Sequence, residues 1–511
     1  MTTRDPISRR RLLGGLLAGV AAQAAWPALA DAPRVSLRPH SRPGAHAALA
    51  SSGRPDVPSP AELIDRAGLG GTVGYVVVDP KNGRVLDSHN ADHPLPCASI
   101  TKTFTTLYAL HRLGPDHRFQ THVVATGPIS GGVVQGDLIL LGGGDPTLTS
   151  DDLADMAAAL ASKGVRGVTG RYLYDASAIP HFEAMDPDQP PQEGYNPGLS
   201  GLNLNFNRVH FQWKRVSGGY QVQMDARGDR VQPATPDITM QIVDRTRPVY
   251  THKVGAQSES WTVAGGVLGR HGARWLPVSN PAPYAAAVFR EVAAAYSIRL
   301  PVAAPGNTPN GAAVLVTHQS DALTHVLKEM LYYSTNLTAE LVGLAASAAA
   351  SPTRQAPSTL EASAAEMAAW IKATYGVSPR FGDHSGLAPG TRVTAAELGR
   401  MLSIASTDDQ FRSLLKQIHL LDSRGRLIRN SPLTVHAKTG TLNFVSGLAG
   451  YVVGPAQQEL VFAILTANMD KRDAARGSNR ERPPGMRTWT RHSRQLQQNL
   501  IETWAALYRE A

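Results

Sequence analysis

Strand-like text at both extremes of the ordered sequence brackets a helical middle, and this most constrains the fold. Near the start, GTVGYVVVDP, a PKNG turn and GRVLDS read as strand, turn and strand. After Leu433, TVHAKTGTL, VSGLAGYVVG and ELVFAILTAN read as three more, joined by short turns at Asn443 and Gly454-Pro455, an antiparallel meander. Between them, from about residue 320, ALTHVLKEMLYYSTNLTAELVGLAA and EASAAEMAAWIKATYG read as two helices separated by Pro352 and Pro357. TAAELGRMLSIAS and DQFRSLLKQI add two further helices, and a last one runs roughly from Thr488 to Tyr508. The pattern implies one α+β domain. Its first segment, residues 59–115, opens with the short helix AELIDRAG and is parted from the rest, 305–511, by different text.

Residues 116–304 form that interruption. VVQGDLILLGGGDPTLTS runs a strand into a glycine turn, and SDDLADMAAALASKG is a capped helix ending at Gly164. Residues 205–280 mix short alternating runs with turn residues, and a helix from about Pro283 to Tyr296 leads back out. The expectation is a β-rich insertion with few helices, with room for two subdomains.

The 511-residue chain is 42 % apolar, enough for a sizeable core. Its net charge of +9 is inflated by four arginines in the first thirty residues. The remainder is mildly basic and has no Lys/Arg block of the kind that binds nucleic acid. One cysteine, Cys97, excludes an internal disulfide and a Cys-rich zinc site. No HExxH helix, P-loop or GxSxG elbow occurs, so metal-free nucleophilic chemistry stays open. Residues 1–30 read as an export signal: basic residues including SRRRLL, an apolar stretch, then Ala28-Leu29-Ala30 as a cleavage site. Arg9-Arg10 after Ser8 resembles a twin-arginine signal, although Leu12 stands where phenylalanine is usual and no lysine follows; an ordinary secretory signal is the alternative. Residues 31–58, rich in Pro, Ala, Ser and Arg, read as a flexible linker. No later apolar run is long enough to span a membrane, so the mature chain is expected to be exported, to the periplasm, without a span.

Three short motifs occur in order: Ser99-Ile100-Thr101-Lys102, Ser334-Thr335-Asn336 and Lys438-Thr439-Gly440. Singly, each has a bland reading. S-x-x-K recurs at Ser413 and Lys416, and S-x-N at Ser88 and Asn90, whereas K-T-G occurs once. The decoys fail on order and setting. Ser88 precedes the first motif, and Ser413 sits within a helix after the second. In the ordered set the first serine stands at a helix start, since Ile100, Phe104, Leu107 and His111 recur at three and four. The second motif falls in the helical middle and the third on a strand before a turn.

The set resembles the penicillin-interacting serine acyltransferases, that is, penicillin-binding proteins and serine β-lactamases. The long gap after the first motif, with GDLILLGGGDPTLT, YNPGLSGLNLNFN, DHSGLAPGTRVTAAELGRML and AKTGTL, is similar to the D-alanyl-D-alanine carboxypeptidase/endopeptidase branch that carries a large insertion there. The resemblance runs from about residue 60 to the C-terminus. It departs from that branch at SGLA, residues 385–388, where SGLS is usual, and at Cys97, where a residue without a thiol is usual. It implies the transpeptidase-like α+β fold of these proteins, interrupted by the insertion.

Cutting an amide needs an activated nucleophile, a proton carrier and a place for the oxyanion. Residues three apart on a helix share a face, so Lys102 can reach the Ser99 hydroxyl. An ordinary lysine is protonated at neutral pH; to act as a base it must lose roughly three pKa units, about 4 kcal/mol. Burial, a second cation and a helix N-terminus all push that way, and Lys438 is the candidate second cation. Whether Lys102 acts alone or through Ser334 stays open. By resemblance, Ser334 passes a proton to the leaving amine, and Asn336 bonds Lys102 and the substrate amide. Lys438 places positive charge near Ser334, and the Thr439-Gly440-Thr441 strand binds the substrate carboxylate through its threonines. The Ser99 and Thr441 N–H groups would form the oxyanion hole. No metal or organic cofactor is implied.

Asp145, in GGGDP, is a candidate holder for the amino end of a diaminopimelate side chain, against the plainer reading of a turn aspartate. Asp383, His384 and Ser385 are adjacent, which rarely makes a Ser-His-Asp triad. Cys97 fits a small buried filler better than a nucleophile. The expected activity is that of a serine DD-peptidase acting on peptidoglycan peptides and inhibited by β-lactams. The rivals are a β-lactamase or esterase on the same scaffold, marked by fast penicillin turnover, and a non-catalytic cell-wall binding protein, marked by no labelling. Oligomeric state is not legible.

Overall fold

The computed structural model describes residues 57–422, 425–455, 457–475 and 483–509. The export signal and all but the last two residues of the linker lie outside them. A six-stranded antiparallel sheet joins the two ends of the ordered chain. Across it run Lys416–Ile418, Thr434–Leu442, Val445–Val453, Glu459–Ala467, Thr72–Asp79 and Arg84–His89. The N-terminal hairpin therefore pairs directly with the C-terminal meander, Val76 opposite Ala463. Alternation along Thr72–Asp79 divides its side chains between two cores. Val76 and Val78 face a helical layer, while Val73, Tyr75 and Val77 face helix α1 (Pro60–Ala67) and the final helix Met486–Leu507. On that second face Trp504 is fully buried against Tyr75 and donates its indole N–H to Asp87.

Helix α2 (Thr101–Leu113) is central, and every residue from Thr101 to Ala109 is buried. The sequence predicts only one apolar stripe because threonines occupy the other faces. They are tolerated because their hydroxyls bond within the core: Thr103 to the Ile100 carbonyl, Thr106 to that of Lys102, and Thr105 to that of His384.

The chain leaves this core and returns through one neck. Ser320 N–H donates to the Phe119 carbonyl, Phe119 N–H to Ser320 Oγ, and Leu323 N–H to the His117 carbonyl. Beyond the neck lies a five-stranded sheet, Ala304–Pro305, Tyr172–Asp175, Leu138–Gly142, Gln120–Ala125 and Ala313–Gln319. It shares a separate core with helices α3 (Ser150–Ser162) and α4 (Pro281–Ala295) and three three-stranded sheets. Because Ala313–Gln319 pairs with Gln120–Ala125, this sheet continues past residue 305 to Gln319.

Two helical readings differ from the structure. The text ALTHVLKEMLYYSTNLTAELVGLAA forms two helices, α5 (Leu323–Tyr333) and α6 (Asn336–Ala350), broken where Ser334 adopts φ 61°. DQFRSLLKQI is helical only from Asp409 to Leu414; Lys416–Ile418 instead becomes an edge strand paired with residues 435–437.

Candidate active site

Ser99 lies in a single 3-10 turn, Ala98–Ile100, immediately before α2. Ala98 carries φ 49°, a left-handed conformation that costs a non-glycine residue of order 1–3 kcal/mol and so marks a position held by its surroundings. Two glycines admit those surroundings. A Cβ on Gly440 would stand 2.3 Å from the Cys97 carbonyl oxygen, and one on Gly386 would stand 1.9 Å from that of Ala98. The turn is thus clasped between the Thr434–Leu442 strand and the loop after Asp383.

Folding brings the three motifs together around this turn. Lys102 Nζ donates to Ser99 Oγ at 2.9 Å, to Asn336 Oδ1 at 2.8 Å and to the Ser385 carbonyl at 2.9 Å. Lys438 Nζ donates to Ser334 Oγ at 2.7 Å and to its neighbour's carbonyl, Thr439 O, at 2.9 Å. The left-handed Ser334 is what turns the chain between α5 and α6, so that Ser334 and Asn336 both reach the site. Thr439 and Thr441, two apart on a strand, share an exposed face, whereas Gly440 is buried.

Both lysines are buried to 1 % exposure or less. Burial pushes Lys102 down to about 8, although the Asp383 and Glu340 carboxylates work against the shift. Burial also holds Lys438 well below the ordinary lysine value, and the charges of Lys102 and Lys416 add to the effect. At neutral pH a buried amine near 8 is unprotonated in about one molecule in ten, against roughly one in 3000 for an ordinary lysine.

These groups open on a cavity of about 800 Å3, lined by Ser99, Ser334, Asn336, Thr439 and Thr441 on one side. Asp186, Asp188, Gln189, Glu193 and Tyr195 of the insertion line the other. The insertion touches the motif itself, for Asn336 Nδ2 donates to the Tyr195 carbonyl at 3.0 Å. Met185 and Leu199 pack with Leu337 and Leu341 of α6 to hold this roof. Arg494, from the final helix, donates to Thr441 Oγ1 at 3.5 Å.

Asp145 does not line this cavity. It is buried and folds back on its own turn, where Oδ1 accepts the Thr147 N–H at 2.8 Å and the Thr147 hydroxyl at 2.7 Å; Oδ2 lies 3.5 Å from His318. Asp383, His384 and Ser385 make no relay. Ser385 Oγ donates to Asp383, while His384 Nε2 meets Ser363 Oγ and burial drives its ring down to about 3. Cys97 is wholly buried beside Thr101, and burial pushes its thiol up to about 11, so it is a packed filler. Sequence reasoning missed Glu340 and Tyr195, and it weighs Ser385 and Lys416 only within the rejected triad and the decoy motif. Glu340 alone left a signal, an acid in the apolar run NLTAELVGL. Tyr195 and Ser385 contribute backbone carbonyls, which residue type does not encode.

A D-alanyl-D-alanine carboxypeptidase of Actinomadura sp. (strain R39) is 29 % identical over 447 residues, 79 % of each chain. Another from Haemophilus influenzae is 27 % identical over 118 residues, 23 % of this chain and 25 % of that one. Among solved structures, penicillin binding protein 4 from Haemophilus influenzae has a TM-score of 0.69 at 18 % identity, covering 88 % of this chain and 100 % of that one. Its complex with a β-lactam gives 0.67 at 19 %, covering 87 % and 99 %. The fold is therefore that of the penicillin-binding proteins. Residues 61–490 match the D-Ala-D-Ala carboxypeptidase 3 (S13) family, and the chain belongs to it.

Proposed function

We propose that the protein is an exported serine DD-peptidase that cleaves peptidoglycan peptides ending in, or cross-linked through, D-alanine. One observation carries the reading. Lys102 Nζ bonds Ser99 and Asn336 together, while Lys438 bonds Ser334, so three motifs spread over 340 residues make one pocket. Ser99 is the nucleophile and Lys102, in its neutral form, takes the hydroxyl proton. The acyl bond forms on Ser99 Oγ as the amide C–N bond breaks, and the leaving amine takes a proton through Ser334. Asn336 positions the substrate amide. Lys438, with Thr439 and Thr441, meets the substrate carboxylate, and the backbone N–H groups of Ser99 and Thr441 receive the oxyanion. Losing one such donor typically costs on the order of 100- to 1000-fold in rate. Water then releases the acyl-enzyme.

The peptidase portion comprises residues 59–115 and the chain after the neck, and the β-rich insertion roofs the cavity. The Arg9-Arg10 leader directs export to the periplasm. The same three-motif pocket makes penicillins inhibitors.

A fluorescent penicillin should label the protein in a long-lived adduct and should not label Ser99→Ala. Mass spectrometry of monomeric and dimeric cell-wall fragments should show loss of terminal D-alanine, cross-link cleavage or both. Rapid penicillin turnover would favour the β-lactamase reading, and no labelling of the parent would refute the acylation mechanism. Cell fractionation with and without Arg9→Lys and Arg10→Lys tests the leader.

A further inference from the structure

Two carboxylates stand behind Lys102 and do not themselves line the cavity. Glu340 lies on α6 and Asp383 stands in the loop beyond the next helix, Leu360–Tyr375, and both are at most 1 % exposed. Both serve that loop. Glu340 accepts the backbone N–H of His384 at 3.0 Å on one oxygen and that of Ser385 at 2.8 Å on the other. Asp383 accepts the N–H groups of Gly386, Leu387 and Ala388 at 2.7–2.8 Å and the Ser385 hydroxyl at 3.0 Å. Residues 384–388 are thereby fixed from two sides. The loop in turn meets both halves of the Ser99–Lys102 pair. Its Ser385 carbonyl is the acceptor of Lys102 that lies outside the three motifs, and its Gly386 lies against the Ala98 carbonyl.

We propose that Glu340 and Asp383 are positioning residues for the nucleophile and its base: the two buried carboxylates pin residues 384–388, and through the Ser385 carbonyl they hold the Lys102 amine against Ser99. The inference rests on the reading of Ser99 and Lys102 given above.

A neutral anchor would also shape a loop, but these anchors bear on the charge of the lysine. The groups facing Lys102 are Glu340 from α6, Asp383 from the loop, Cys97 from the turn before α2 and Lys438 from the Thr434–Leu442 strand; Lys416, on the adjoining edge strand, bears on Lys438. The two carboxylates favour its protonated form against burial. They are themselves pushed up by burial, Glu340 to about 8. Asp383 is met only by donors, the environment of an ionised carboxylate. Removing its negative charge makes the Lys102 ammonium less favourable, so Lys102 becomes a free base at lower pH.

The test is the pH profile of acylation by a fluorescent penicillin for the parent, Glu340→Gln and Asp383→Asn. Each amide lacks an acceptor oxygen that the loop uses, so the plateau rate should fall about tenfold or more. The acid limb should move to lower pH, by about half a unit or more for Asp383→Asn. A purely structural role would lower yield, Tm and rate but leave the limb in place. Limbs that coincide with the parent's in both variants overturn the proposal. If neither variant folds, hydrogen exchange on the unaltered protein decides: the amides of residues 384–388 should be among the slowest outside helices and strands, and fast exchange there overturns the clamp. A parent that never acylates refutes the Ser99–Lys102 reading instead, a separate result.

Discussion

Gly440→Ala adds one methyl group where the strand of the third motif crosses the turn of the first. That methyl would stand 2.3 Å from the Cys97 carbonyl oxygen and 3.2 Å from both Ala98 Cβ and Ile100 Cγ1. Ordinary contact begins at 3.4 Å, so strand and turn must part by the difference from 2.3 Å, about 1.1 Å. Neither side yields easily. Cys97 and Ile100 are wholly buried, and residues 434–442 are paired along their length with residues 445–453. The gap must open between Ser99 and the Lys438–Thr441 side of the pocket. Overpacking of this size costs about 1–3 kcal/mol, which a chain with cores this large survives. A 1 Å misplacement at a reacting centre costs on the order of 100-fold in rate. Gly440→Ala should therefore fold, melt a few degrees lower and be acylated by a fluorescent penicillin on the order of 100-fold more slowly. Gly266→Ala is the control, since a methyl there meets open space. If Gly440→Ala folds and acylates within about threefold of the parent, the turn and strand are not held in the register argued here.

The acylation rate of the parent should rise nearly tenfold per pH unit below neutrality and level off above about 8, because only neutral Lys102 accepts the Ser99 proton. A rate that is flat from pH 5.5 to 7.5 would remove Lys102 from the role of base. Lys416→Met deletes one of the two cations that push Lys438 down. Lys438 should then keep its proton to higher pH, as read by an NMR titration of its side-chain amine; an unmoved titration would show that Lys416 does not act on it.

Much of this architecture was legible in the sequence, and what was hidden has physical causes. Alternating strands at both ends gave away the sheet, and the order of three motifs gave away the pocket. The break at Ser334 left no trace because the apolar spacing of Leu327, Leu331, Leu337 and Leu341 continues across it. A left-handed serine is imposed by packing, not by composition. Lys416–Ile418 reads as the end of a helix, yet pairing with residues 435–437 outweighs that local preference. Its lysine completes the decoy S-x-x-K at Ser413, and folding places its charge close enough to bear on Lys438. Glu340 and Asp383 are 43 positions apart and are linked only by the loop they share.

The charges suggest why one pocket needs two lysines. In a dry site two neighbouring ammonium groups are costly, so protonating one disfavours the other. Lys102 has two carboxylates behind it, whereas cations work on Lys438 along with burial. Without substrate, the two carboxylates therefore favour a proton on Lys102, while burial and the neighbouring cations disfavour one on Lys438. In the proposed mechanism a substrate carboxylate arriving at Thr439 and Thr441 would work against that preference, because it would place negative charge near Lys438. That would favour the proton on Lys438 and leave Lys102 free to take the Ser99 hydrogen. On this argument the carboxylate of a peptide ending in D-alanine is more than a handle for binding. It would help to arm the nucleophile, whereas in an empty pocket the acids behind Lys102 favour its protonated form.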